Sequence, residues 1–315
     1  MDLWILGNLT IDDLVLADGT THMGMCGGNG IYAALGGRVW SESVGLSARI
    51  GPDFPRTHIR TLEDAGLRLA LSEVEAPTIH SWALYESADR RRFINWLDSG
   101  SHLEQSLLPP EVPADACQVR VCHVAPMPLE VQAKLVRHLA VRGPLVSLDP
   151  HDEYSAGAED TLLQLLGCVD VFLPSRQEAA LLYGRDDPIA AARAFAAAGP
   201  RVVAIKLGVD GSLVLAPGFD DAVHIGCAPV DAVDPTGAGD AYCGAFCATY
   251  AQSGDPIESA LRATVAASLI VEQPGALSVL PFDRTLAEQR LTCLRNTLQP
   301  LRTENQDACA WRSAS

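Results

Sequence analysis

The run Ala232-Val-Asp-Pro-Thr-Gly-Ala-Gly-Asp-Ala-Tyr-Cys-Gly-Ala-Phe246 decides how this chain is read. Pro235 breaks any strand, because it fixes its own φ and has no N–H for a ladder. Gly237 and Gly239 let the backbone turn tightly and come close to a ligand. Small and apolar residues follow, and a helix is predicted over 241–250. A loop that runs into a helix in this way presents free N–H groups at the helix N-terminus, where the helix dipole favours negative charge. Such an end is an anion hole. Asp240 stands at its mouth. A carboxylate there can accept a proton from an alcohol that attacks a phosphoryl group, while the N–H groups receive the charge developing on the transferred group. Gly-Ala-Gly alone also suits an ordinary loop capped by Asp240. The full seven residues from Asp234 to Asp240 are far more specific.

Other phosphate loops are excluded. No GxxxxGK[ST] run occurs, so the chain has no P-loop. A dinucleotide loop needs Gly three residues after Gly239, where Tyr242 stands, and it belongs after the first strand of a βαβ unit. The HRD and DFG signatures of protein kinases are absent.

Upstream, short β-rich runs alternate with helical patterns. Leu3–Leu6, Val119–Val124, Leu145–Leu148, Val169–Leu173 and Val202–Ile205 read as buried strands. A compact helix is predicted over Gly30–Gly37, and others over Leu129–Val141, Glu159–Leu166, Gln177–Tyr183 and Ile189–Ala198. This alternation predicts an α/β fold: a mostly parallel central sheet with helices on both faces and a site beyond the carboxyl ends of the strands. One segment breaks the rhythm. Thr78–Glu86 alternates in period two, Ala88-Asp89-Arg90 turns, and Arg91–Trp96 extends again, which reads as a hairpin. Together with Thr10–Leu16 it predicts a small separate β-sheet, a discontinuous lid formed by about residues 10–24 and 77–100 of a domain spanning 1–300. A helix with Leu286 and Leu291 follows Pro281, and 301–315 is a polar tail.

The chain has 315 residues, enough for a substantial core without staples. Nearly half are apolar and a fifth charged, as in globular proteins. The net charge of −16 argues against broad nucleic-acid binding and against docking on anionic membranes. Nine cysteines are scattered without paired spacing, so neither a disulfide framework nor a zinc site is expected. The N-terminus lacks the pattern of a signal peptide, and no apolar run is long enough to span a bilayer. A cytoplasmic protein is the expectation.

The motif at 234–240 resembles the C-terminal signature of the ribokinase (PfkB) family of carbohydrate and nucleoside kinases, and the order of features matches over roughly 3–281. The resemblance implies a ribokinase-like fold with a β lid, ATP as donor, Mg2+ as cofactor, a small polyhydroxy acceptor, and a monovalent cation such as K+ near Pro274-Gly275-Ala276. It implies Asp240 as catalytic base and Gly237, Ala238 and Gly239 as the anion hole, with Thr236 on the ATP side. Asp12, expected at the end of the first strand, matches the aspartate that holds substrate hydroxyls; either it or Asp13 alternatively caps a turn. Gly27 and Gly28 match the glycine pair lying against the sugar. Family members carry Asn where Tyr32 stands, so the substrate contact passes to Tyr32 or to Asn29.

Ser175 and Glu178 resemble the Asn-x-x-Glu motif, with Ser175 in place of Asn and Glu178 holding Mg2+ through water; they also form a capping box. Lys206, Gly208 and Gly211 resemble the nucleotide-binding turn, Lys206 reaching ATP phosphates or standing as a surface charge. Thr264, Ala267 and Ser268 match the helix beside the adenine, or simply allow close helix packing. Asp149 is a second metal carboxylate or a turn cap. Arg90, Arg91 and Arg92 on the lid hold a substrate phosphate or are solvated turn charges, and no role is assigned to His123 or His151. The acceptor is a sugar or sugar derivative, with a nucleoside or a catalytically weak ligand-binding role as alternatives. The exposed lid edge is expected to pair with a second copy.

Overall fold

The computed structural model describes residues 1–87 and 90–297. The turn residues Ala88 and Asp89, the tail 301–315 and Cys309 lie outside the described residues. In chain order the strands are β1 (Leu3–Leu6), β2 (Thr10–Val15), β3 (Thr21–Gly27), β4 (Val44–Ile50), β5 (Arg68–Glu73), β6 (Ile79–Ser87), β7 (Arg90–Asn95), β8 (Val121–Val124), β9 (Leu145–Leu148), β10 (Val171–Phe172), β11 (Val202–Lys206), β12 (Ser212–Leu215) and β13 (Val223–Ile225). The helices are α1 (Asn29–Trp40), α2 (Arg56–Asp64), α3 (Leu129–Ala140), α4 (Asp152–Ser155), α5 (Glu159–Leu165), α6 (Arg176–Tyr183), α7 (Pro188–Ala198), α8 (Ala238–Ser253), α9 (Pro256–Ile270) and α10 (Arg284–Thr297).

The main sheet has nine strands in the order β13-β12-β11-β10-β9-β8-β1-β4-β5. From β11 to β5 every pairing is parallel; β12 and β13 add an antiparallel edge. The inner parallel strands are buried on both faces, so most of their side chains are apolar. In β1, Leu3 and Ile5 enter one core and Trp4 and Leu6 the other. The first core lies under α1, α8 and α9, the second under α3, α5 and α7. The loops leaving β1, β8, β9, β10 and β11 therefore emerge together at one edge of the sheet, which is where the site forms.

The second sheet has the order β3-β2-β6-β7. It is the expected lid, with β3 continuing to Gly27, a little beyond the expected limit. Asp12 belongs to this sheet and not to the end of the first strand, because the chain leaves the main sheet after Leu6 and starts β2 at Thr10. Among the described residues, no helix is long and apolar enough to cross a membrane.

Candidate active site

The loop ahead of α8 is shaped by Gly237. Its φ of 75° lies in the left-handed region, and a Cβ there would sit 2.1 Å from the Tyr32 ring. Glycine alone satisfies both demands. No side chain caps the helix at Gly237, so the first-turn N–H groups stay directed out of the helix end. Asp240 lies within the first turn and not at the cap position. Burial pushes its carboxyl above the usual range, Lys206 and His151 pull it down, and Glu178 pushes it up.

A cavity of about 360 Å³ opens between this loop and the lid. Asp12, Gly28, Asn29 and Tyr32, read as acceptor-side, line it together with Gly237 and Asp240, and so does Thr236, which was expected on the ATP side. Gly27 stands directly behind Asp12: a Cβ on Gly27 would lie 1.8 Å from Asp12 Oδ2. The missing side chain makes the space for the carboxylate. Asp12 is only 7% exposed, and its Oδ1 accepts from Thr10 Oγ1 at 2.8 Å. Burial raises its pKa to about 6; the Thr10 hydrogen bond opposes this, and Asp234 and Asp13 add to it. Asp13 points to the other face of the lid, where it accepts from Gly24 N at 2.7 Å and meets His80 Nε2 at 2.9 Å. The Asn29 amide is engaged on both sides, accepting from Asn8 N at 2.9 Å and donating to the Pro126 carbonyl at 2.7 Å. It joins the loops after β1 and β8. Tyr32 is buried against Gly237, with its phenol held well above its ordinary pKa by burial and by Asp234 and Asp12.

On the other side of the anion hole, Lys206 ends β11. Its Nζ donates to both oxygens of Asp149 at 2.7 Å and approaches Gly239, where a Cβ would be 3.6 Å away. Lys206 is thus no surface charge. Burial opposes the ammonium, but Asp149, Cys243 and Glu178 outweigh it and hold it charged. Asp149, expected as a second metal carboxylate or a turn cap, is thus ion-paired with Lys206 through both oxygens.

The capping box is formed, with Ser175 Oγ accepting from Glu178 N at 3.2 Å and Glu178 Oε2 accepting from Ser175 N at 2.6 Å. Gly208 and Gly211 turn the chain after β11. Thr264, Ala267 and Ser268 do not line the cavity. Ser268 Oγ donates to the Val265 carbonyl at 2.7 Å and accepts from Arg290 at 2.9 Å, while the Thr264 hydroxyl is buried with no partner among the described residues.

Five cavity residues, His102, His151, Glu153, Tyr154 and Asn95, had no role expected from the sequence, whereas Arg91 was one of the three lid arginines. His102, His151, Glu153 and Tyr154 line it from the loop before β8 and from the region of α4, and Asn95 and Arg91 from β7. The signal available for His151 was its position straight after the strand end at Asp149-Pro150. His123, by contrast, is buried beside Ser147 Oγ at 3.0 Å, and burial, with Lys206, lowers its pKa to about 3.

Asp234 is the least expected part. It is buried, accepts from the Tyr85 hydroxyl and from Thr236 N at 2.9 Å on one oxygen, and from Gly275 N at 3.4 Å on the other. The Tyr85 hydroxyl also lies 2.7 Å from Thr236 Oγ1. Tyr85 belongs to β6, so one lid side chain fastens the lid to the anion-hole loop. Tyr85→Phe is expected to lower kcat by roughly tenfold to a hundredfold, since a small displacement of the loop misplaces the donors, with the KM for ATP nearly unchanged. Steady-state kinetics of the variant check this; an unchanged kcat would contradict it.

The chain matches the family model for pfkB family carbohydrate kinases over residues 12–283. It belongs to that family and is a phosphotransferase acting on an alcohol group. It is 29% identical over 266 residues to a cytidine kinase from Thermococcus kodakarensis, covering 83% of this chain and 92% of that one. It is 27% identical over 267 residues to a deoxyribokinase from Salmonella typhimurium, covering 81% and 84%. Among solved structures, a putative ribokinase II from E. coli in complex with ATP and Mg2+ superposes with a TM-score of 0.77 at 20% identity, over 93% of this chain and 99% of that one. Adenosine kinase from Sinorhizobium meliloti gives 0.74 at 19%, with the same coverage. These likenesses establish the ribokinase-like fold.

Proposed function

We propose that this kinase transfers the γ-phosphoryl group of ATP to a hydroxyl of a sugar or nucleoside held between Asp12 and Asp240. The observation that carries the reading is the convergence of Asp12, Asp240 and the uncapped end of α8 on one cavity. Asp12 orients acceptor hydroxyls, Asp240 takes the proton from the attacking oxygen, and the N–H groups of Gly237–Gly239 receive charge on the transferred group. Lys206, fixed by Asp149, stands beside that end as a positive charge. Initial-rate assays of ADP formation over a panel of sugars and nucleosides test the reading, and product from none of them would sink it.

Magnesium fits with little direct protein ligation. Among the described residues no group of three or more His, Cys, Asp or Glu could hold a metal ion. Magnesium keeps most of its waters and takes phosphate oxygens, so Glu178 would hold it through water. Bound there, it would offset phosphate charge. A monovalent cation suits Asp234: its buried carboxylate meets neutral donors only, with Gly275 closing over it. The outer lid face carries Trp82, Ile94 and Trp96, the last two exposed, which supports pairing of two copies through the lid. The K+ dependence of turnover and the mass of the protein in solution check these two points. The free thiols among the described residues accord with a reducing cytoplasm.

Asp12 gives the reaction a pH dependence. Its folded pKa of about 6 means that it is protonated below that value and ionised above it. Only the carboxylate accepts two hydroxyl bonds. kcat/KM for the acceptor should therefore rise between pH 5 and 7 with an inflection near 6 (roughly the pKa of that carboxyl). Asp12→Asn should abolish this inflection and raise the acceptor KM. A profile flat across this range in the wild type would rule out the role.

A further inference from the structure

Seven buried side-chain atoms lack a hydrogen-bond partner among the described residues, and two of the residues concerned, Arg91 through Nε and His102 through Nδ1, line the acceptor cavity. A buried polar atom left unpaired, donor or acceptor, carries its desolvation penalty uncompensated, and native proteins tolerate that mainly where a ligand or water completes the bond. Arg91 is also held in place. Its guanidinium carbon is 6.0 Å from the centre of the Tyr85 ring and 5.5 Å from that of Phe93. Phe93 is itself 51% exposed and lines the same cavity, leaving an aromatic surface free beside the fork of donors. None of these groups is needed by sugar hydroxyls, which Asp12 and Asp240 serve. A cavity of about 360 Å³ is also in the range of ligands larger than a bare pentose, which begins at roughly 300 Å³.

We propose, resting on the kinase reading above, that the acceptor is a nucleoside whose base is read by Arg91 and His102 against Phe93. The base is one that offers two adjacent acceptors in its plane, because the guanidinium donates two parallel hydrogen bonds. The O2/N3 edge of cytosine and the O6/N7 edge of hypoxanthine or guanine have that pattern. Uracil interrupts it with an N3–H, and adenine presents an amino donor beside N7. A site that leaves buried donors unpaired with the wrong ligand discriminates strongly against it.

Calorimetric binding of cytidine, inosine, uridine, adenosine, ribose and gluconate to the full chain, with phosphotransfer measured on the same compounds, tests this. Cytidine or inosine should bind at least tenfold more tightly than uridine, adenosine and ribose. Arg91→Met should remove that preference while leaving ribose affinity within about twofold, which also reports a folded site. Arg91→Lys, which keeps the charge but not the fork, should not restore it. Ribose or gluconate binding as tightly as the favoured nucleoside would overturn the proposal. So would a preference that survives Arg91→Met, or an equal loss for every compound. Discrimination in binding without any phosphorylated product would sink the kinase reading and leave this one standing; product without discrimination would do the reverse.

Discussion

Asp240→Asn should lower turnover by about a thousandfold or more while leaving ATP affinity within roughly threefold, the upper part of the range for loss of a positioned general base. The amide has the size of the carboxylate and keeps the first turn of α8. It cannot take the proton of the attacking hydroxyl. The uncapped N–H groups at the helix end, proposed above to receive phosphoryl charge, are untouched. A loss confined to kcat is thus the signature of the base. Burial holds Asp240 above the ordinary carboxylate range, with Lys206 and His151 opposing. The wild-type rate should accordingly climb with pH as that proton is lost. Single-turnover assays with calorimetric ATP titration check both points, and a variant retaining more than a tenth of the wild-type rate would dismiss Asp240 as the base.

Lys206→Met should be the most destabilising single change at the site, costing about 3–5 kcal/mol. Lys206 and Asp149 are side-chain partners at 13% and 3% exposure. Removing the ammonium leaves a buried carboxyl whose folded pKa, already raised by burial, loses the pull of its main partner. An acid whose folded pKa exceeds its unfolded value binds its proton more tightly when folded. Stability then falls as pH rises from the unfolded pKa toward the folded one. The defect should therefore be small near pH 5 and largest above pH 8. Urea denaturation of wild type and variant at both pH values measures it. A uniform loss would mean that packing, not the stranded carboxyl, is responsible. The double change Lys206→Met with Asp149→Leu should recover much of the stability, because an apolar pair of similar volume removes both desolvation penalties.

The sequence was legible where local chemistry and local structure coincide. Asp234–Asp240 announces its own turn, helix and anion hole, because Pro235, Gly237 and Gly239 allow little else. The parallel strands β1, β8, β9 and β11 were visible as apolar runs with a helix after most of them. β4, β5, β12 and β13 were not picked out: Gly45, Arg49, Ser72 and His224 interrupt three of them, β12 is only four residues long, and the edge strands β5 and β13 need no continuous apolar stretch. What the sequence could not provide is distance between remote segments. Lys206 and Asp149 were each read against a nucleotide or a metal, and nothing in the spacing of 57 residues says that they meet. Tyr85 looked like one aromatic in an alternating strand, yet it bonds to Asp234, 149 residues later. Arg91 was one of three hairpin arginines until the register of β6 with β7 turned it toward the cavity and Arg92 away.

The bond from Tyr85 to Asp234 bears on a hazard that every such enzyme faces: water is also an acceptor. Lifting the lid far enough to admit a substrate withdraws the Tyr85 hydroxyl from the loop that must cradle the departing phosphoryl group. The loop keeps this partner only while the cleft is covered, and covering the cleft excludes solvent. A single phenolic oxygen thus links the placing of that loop to the covering of the cleft.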